Sequence, residues 1–174
     1  IKLSSEPLFS SDEIAARIET LAAQIDKDYR GREILMIAVL KGSFLFVADL
    51  IRAVKTPAVI DFVRLASYGS ATQSSGIIEV RKDLEMSIKD KHVLVVEDIV
   101  DSGLTLESLR SMLLNRQPAS LKICTLIDKQ AHRVTDVPVD YIGFSMDDGF
   151  IVGYGLDLDE RYRDLPDIRV VENV

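Results

Sequence analysis

Glu97, Asp98, Asp101, Ser102 and Thr105 fall within one short string, EDIVDSGLT. Three carboxylates there would present negative charge to a ligand, while Gly103 lets the backbone turn and the two hydroxyls can hydrogen-bond an anion. A helix beginning just beyond would aim its free N–H groups at the same anion. The competing reading is a solvated acidic tip or a helix cap. Lys41, Gly42 and Ser43 follow a second apolar run, and Lys129 follows a third. Alone, a Lys-Gly-Ser turn and a surface lysine carry little information. His92 and His132 have no metal-ligand spacing, and Ser102 has no histidine near it in sequence, so neither a histidine metal site nor a hydrolytic triad is expected. The chain has no G-x-x-x-x-G-K-[ST] string, which weighs against a nucleotide triphosphatase.

Hydrophobic periodicity supplies the elements that would hold these residues. Val93 to Val96 has the length and β-branching of a strand buried on both faces, and it stops at the two carboxylates. Leu106, Leu109 and Leu113 then recur at helical spacing. In an open parallel sheet, ligands bind beyond the carboxyl ends of the strands, which would turn Glu97, Asp98 and Asp101 toward a crevice. Ser10 followed by Glu13 is a capping-box pattern, and Ile14, Ile18, Leu21 and Ile25 continue a helix to Tyr29. Ile34 to Leu40 reads as a buried strand leading through Lys41–Ser43 into an apolar helix that ends near Arg52. Further strands are expected at Ala58–Leu65, Ile77–Arg81, Leu121–Ile127, Tyr141–Phe144, Phe150–Tyr154 and Ile168–Val171. Between the first two of these, residues 66–76 (ASYGSATQSSG) are almost all small or polar, which suits either a mobile lid or a long hairpin connector.

With 174 residues and 47% hydrophobic content, the chain fits one domain that buries roughly 70% of its unfolded surface. Its one cysteine, Cys124, lies in an apolar run and reads as a core thiol in a reducing, cytosolic setting. No apolar run reaches the roughly eighteen residues of a membrane span, and no signal peptide is apparent. The absent initiator Met would fit a trimmed or partly ordered chain. A net charge of −7 opposes non-specific nucleic-acid binding. A phosphate-rich small ligand would need local help from a metal ion, a helix terminus and a few placed cations.

The string from Val93 to Thr105 resembles the phosphoribosyl pyrophosphate signature of the type I phosphoribosyltransferases: an apolar run, two acids, two apolar residues, an acid, then small residues and Thr. The resemblance narrows to the hypoxanthine-guanine phosphoribosyltransferases through Lys41, Lys129, Phe150 to Tyr154, Asp157 and Arg163, which match in order and spacing over nearly the whole chain. It implies an α/β fold, a central mostly parallel sheet flanked by helices, with a small hood built from the N-terminal and C-terminal segments of one domain, residues 1–174. It implies that Glu97 and Asp98 bind the ribose hydroxyls, that Asp101, Ser102, Gly103, Leu104 and Thr105 hold the 5′-phosphate, and that Asp101 also serves as the base. Lys41, Gly42 and Arg163 would take the pyrophosphate, with a cis peptide at Lys41–Gly42 possible in the family. Lys129, Phe150, Ile151 and Asp157 would bind the purine. Ser67, Tyr68 and Gly69 would form the lid, and Glu97, Asp98 and Asp157 would hold Mg²⁺. The implied substrates are phosphoribosyl pyrophosphate and a 6-oxopurine base, without nucleic acid or membrane, in a cytoplasmic homodimer or homotetramer.

The bland alternatives are a core phenylalanine at Phe150 and a surface ion pair of Arg163 with Asp159 or Glu160. Two other functions compete: a sensor of phosphoribosyl pyrophosphate that regulates transcription, and a receiver-like acidic pocket. The first usually needs a DNA-binding segment or a basic face, and the second leaves the loop from Asp101 to Thr105 unexplained. The chain departs from many relatives at Gln130, where Pro is common, at Asp147–Gly149, and at Leu158–Asp159. These positions border the base pocket and bear on preference among hypoxanthine, guanine and xanthine.

Overall fold

The structure, a computed structural model, describes residues 1–67 and 78–173. In chain order the elements are α1 (Ser11–Asp28), β1 (Ile34–Leu40), α2 (Phe44–Ala53), β2 (Ala58–Ser67) and β3 (Ile78–Lys82). β4 (His92–Val100), α3 (Leu104–Leu114), β5 (Ser120–Lys129), β6 (Tyr141–Met146), β7 (Ile151–Val152) and β8 (Arg169–Val170) follow. Helix α1 begins as its sequence predicts: Ser10 Oγ accepts from the Glu13 N–H at 3.1 Å, and Glu13 Oε1 accepts from the Ser10 N–H at 3.2 Å.

Six strands form one sheet in the order β3-β2-β1-β4-β5-β6. All neighbouring pairs are parallel except the edge pair β2–β3. Alternation along the strands builds a core on each face. Ile34, Met36 and Ala38 of β1, with Leu94 and Val96 of β4, pack in the cluster that holds α1 and α2. Leu35, Ile37 and Val39, with Val93 and Val95, pack in the one that holds Leu106, Leu109 and Leu113 of α3. Cys124 is a buried free thiol within the first cluster.

From β1 the chain moves outward to β2 and β3, and from β4 it moves outward the other way, to β5 and β6. The order therefore reverses between β1 and β4, which opens a crevice beyond their carboxyl ends. Three expectations need correction. The β4 strand does not stop at the carboxylates but runs through Glu97 and Asp98 to Val100, because β5 continues to pair with it as far as Val100 opposite Asp128. The strand expected at Phe150–Tyr154 is only Ile151–Val152, since Gly153, Tyr154 and Gly155 all turn with positive φ. The last strand is likewise cut to Arg169–Val170, with Ile168 and Val171 forming isolated bridges to Phe9 and Leu3. Those bridges bring the N-terminal segment onto the β7–β8 pair. No helix of the described residues is long and apolar enough to cross a membrane.

Candidate active site

The crevice at the β1–β4 switch point is a cavity of about 360 Å³. The expected residues Lys41, Gly42, Glu97, Asp98, Asp101, Ser102, Gly103, Thr105, Asp157 and Arg163 line it, joined by apolar residues such as Leu65 and Leu106. Leu104, Phe150, Ile151 and Lys129 are not in its lining. Ile151 is buried in β7, whereas Phe150 is 38% exposed, which is unlike a core phenylalanine. Tyr68, Gly69 and the side chain of Ser67 lie outside the described residues.

Register explains why Lys129 stands beside Asp101, which lines the cavity. Val100 pairs with Asp128 across the parallel β4–β5 ladder, so the next residues, Asp101 and Lys129, emerge side by side. Lys129 Nζ stands 3.7 Å from Asp101 Oδ2 and 3.7 Å from Asp148 Oδ1. Asp101 Oδ1 is buried and has no hydrogen-bond partner among the described residues, a costly state for a carboxylate oxygen that a ligand donor would relieve.

The opposing loops approach too closely for side chains. A Cβ on Gly42 would lie 1.7 Å from Asp98 Oδ2, and one on Gly155 would lie 2.2 Å from the Gly42 carbonyl oxygen. These glycines let three loops interlock around the cavity. The cis peptide in this loop is Leu40–Lys41, one bond before the Lys41–Gly42 peptide that the resemblance marks. Ser102 is tied down by its neighbours: its carbonyl accepts from the Val134 and Thr135 N–H groups at 3.0 and 3.3 Å. Gly103, at φ +84°, then starts α3 with no side chain of its own to cap it; the Leu104 N–H donates to Ser102 Oγ at 3.3 Å, and the next first-turn N–H groups are left for an anion.

Burial pushes the Glu97 carboxyl well above the ordinary carboxylate range, and the Asp98 charge beside it adds to the push. Burial also raises Asp98, against the Ile99 N–H donating to its carboxylate at 2.8 Å and the nearby Arg163 charge. A cation or a set of sugar hydroxyls would relieve this crowding of buried charge. Among the described residues no three acidic, histidine or cysteine side chains gather as a metal cluster, so Glu97, Asp98 and Asp157 do not form a closed three-carboxylate cage. Carboxylates on two walls of one cavity nevertheless suit Mg²⁺, which takes one or two of them and completes its shell with substrate oxygens and water.

A family profile described as the phosphoribosyl transferase domain matches residues 4–159. The chain belongs to the phosphoribosyltransferase family. It is 49% identical over 164 residues to a hypoxanthine-guanine phosphoribosyltransferase of Mycobacterium tuberculosis, covering 91% of this chain and 81% of that one. It is 46% identical over 168 residues to a hypoxanthine phosphoribosyltransferase of Salmonella typhimurium, covering 95% and 94%. Among solved structures, a Bacillus anthracis hypoxanthine-guanine phosphoribosyltransferase with HEPES in its active site superposes with a TM-score of 0.93 at 46% identity. That match covers 98% of this chain and 99% of the other.

Two residues of this phosphoribosyltransferase carry the site's architecture although the sequence assigns neither a role in it. Arg133 donates Nε to the Asp101 carbonyl at 2.9 Å and pairs through its guanidinium with the buried Asp128, whose second oxygen accepts from Gln130 Nε2 at 2.6 Å. It thereby fastens the acidic loop to the end of β5, and Gln130 braces the pair. Glu160 joins both proposed pyrophosphate cations, accepting from Lys41 Nζ at 2.9 Å and from Arg163 at 3.1 Å. The ion pair named above as the bland reading of Arg163 therefore exists, in a residue that also lines the cavity. No periodicity marks either contact, since both join distant loops.

Proposed function

We propose that the chain transfers the phosphoribosyl group of phosphoribosyl pyrophosphate to N9 of hypoxanthine or guanine, giving IMP or GMP and pyrophosphate in purine salvage. The observation that carries this reading is the pairing of Asp101, with its unpartnered buried oxygen, and Lys129 at 3.7 Å. On a 6-oxopurine, the oxygen and N7 are neighbours on one edge. Lys129 would donate to the oxygen while Asp101 accepts the N7 proton as N9 attacks the ribose. Adenine offers an amino group instead, and two facing donors would leave a desolvated ammonium unpaired.

The remaining roles are those that the family resemblance implies. Glu97 and Asp98 accept hydrogen bonds from the ribose hydroxyls. The loop Asp101–Thr105 and the start of α3 hold the 5′-phosphate. Lys41, the Gly42 backbone and the fork of Arg163 stabilise the leaving pyrophosphate, where preorganised charge contributes most. Phe150 stacks on the base, and Ile151 and Asp157 offer backbone groups to its edge. One or two of Glu97, Asp98 and Asp157 would hold Mg²⁺, which would supply charge neutralisation to the leaving group. The seating of the N-terminal segment on β7–β8 supports one domain whose hood is built from both termini. The buried thiol of Cys124 suits a reducing cytoplasm, and the family resemblance suits a homodimer or homotetramer.

Replacing Asp101 with Asn tests the assignment. Turnover is expected to fall about 10²- to 10⁴-fold, with phosphoribosyl pyrophosphate affinity changed by no more than a few-fold. Turnover equal to the parent would remove Asp101 as the base.

A further inference from the structure

Glu160 sits at a corner whose geometry favours other residues. Leu158 and Arg161 exchange backbone hydrogen bonds at 3.1 and 3.0 Å, closing a tight turn over Asp159 and Glu160. Both corner residues are left-handed, at φ +51° and +64°, as in the I′ turns that prefer Asn and Gly. Asp157 Oδ2 accepts from the Glu160 N–H at 2.8 Å and fixes the turn. The result points the Glu160 carboxylate at Lys41 and Arg163 together.

Stability does not account for this arrangement. The Glu160 side chain is 61% exposed, and an ion pair so open to water returns no more than the left-handed backbone costs. Nor does Arg163 need Glu160 to hold its place. Its Nη1 donates to the Gly155 carbonyl at 2.7 Å, Asp157 lies 3.3 Å from Nη2, and its Nε is buried without a partner among the described residues. Lys41, by contrast, has its ammonium on Glu160. The carboxylate occupies the two cations with a single negative charge, at the place where a more highly charged group would compete for them.

We propose that Glu160 is an internal stand-in for the pyrophosphate group: in the free enzyme it holds Lys41 and Arg163, and it is displaced when a pyrophosphate takes them. The proposal rests on the pyrophosphate role assigned above. Glu160 would weaken pyrophosphate binding, easing product release, while keeping the two cations apart from other anions in the empty site.

The test is calorimetric titration of the whole protein with inorganic pyrophosphate in the presence of Mg²⁺, comparing the parent with Glu160→Gln and Glu160→Gly. Glu160→Gly relieves the left-handed φ and so keeps a folded control. Both variants are expected to bind pyrophosphate about 3- to 10-fold tighter, and to show a correspondingly lower constant for product inhibition. Equal or weaker binding in both would overturn the proposal while leaving the pyrophosphate site standing. Absence of binding by the parent and both variants would overturn the site and the stand-in together.

Discussion

Two walls face the cavity, and they are held by different means. One consists of the carboxyl ends of β1, β4 and β5, where ladder register sets Asp101 beside Lys129 and burial surrounds Glu97. The other is the segment 153–163, where short turns with positive φ and ion pairs hold Asp157, Glu160 and Arg163. The first wall has hydrogen-bonded strands behind it, and the second has little regular structure. A site that must grip a sugar and release a pyrophosphate gains from that division: groups that need fixed geometry sit on the sheet, and groups that must exchange partners sit on turns.

The strongest challenge to this division is Gly42→Ala, because Gly42 lies where the walls interlock. Its Cβ would fall 1.7 Å from Asp98 Oδ2 and 2.7 Å from Asp98 Cγ, so the Asp98 carboxylate or the loop carrying residue 42 must move by an ångström or more. Turnover is expected to drop about 100-fold, the usual penalty for misplacement on that scale. Steady-state kinetics near the parent would show that the interlock is slack.

Next in size is Arg133→Ala, which strips the partner from buried Asp128 and unfastens the acidic loop from β5. Breaking a buried pair of this kind costs about 3 kcal/mol, or about 6–12 °C in melting midpoint for a domain of this size. A midpoint within a degree of the parent would mean that the sheet-held wall does not rely on Arg133.

The smallest effect, opposite in sign, is on Glu97→Gln. The folded-state value of this carboxyl is raised, chiefly by burial and then by Asp98. Below about pH 4.3 both folded and unfolded states hold the proton, and the group contributes nothing to the pH dependence of stability. As pH rises above that, the unfolded chain ionises freely while the folded one resists, so the parent loses stability toward its raised folded value. The variant escapes this loss. Its denaturation midpoint should match the parent at pH 4 and exceed it at pH 8, while nucleotide formation falls. A variant less stable at pH 8 would contradict the crowding of charge on this wall.

The same division explains what the sequence discloses. The sheet-held wall follows from periodic patterns: the apolar runs of β1, β4 and β5 end at Lys41, Glu97 and Lys129, and the carboxyl-end rule gathers those ends. The reversal between β1 and β4 and the extension of β4 to Val100 depend on pairing with neighbours, which composition does not encode. On the other wall, the resemblance marks Asp157 and Arg163 but not the turn that aims Glu160, because Glu160 is not a residue that announces a left-handed corner. Arg133 escapes for a related reason, since what it bridges, the ends of β4 and β5, come together only through strand pairing.

The central claim is transfer of a phosphoribosyl group to a 6-oxopurine at the sheet-held wall. Nucleotide formation from phosphoribosyl pyrophosphate, measured separately with hypoxanthine, guanine, xanthine and adenine, with Mg²⁺ and with chelator, tests it most directly. Product is expected with hypoxanthine or guanine and disappears with chelator, and the donor mismatch at Lys129 should discriminate against adenine by about 10⁴-fold. Saturable binding of phosphoribosyl pyrophosphate with no product from any base would contradict it and make the protein a sensor of that metabolite.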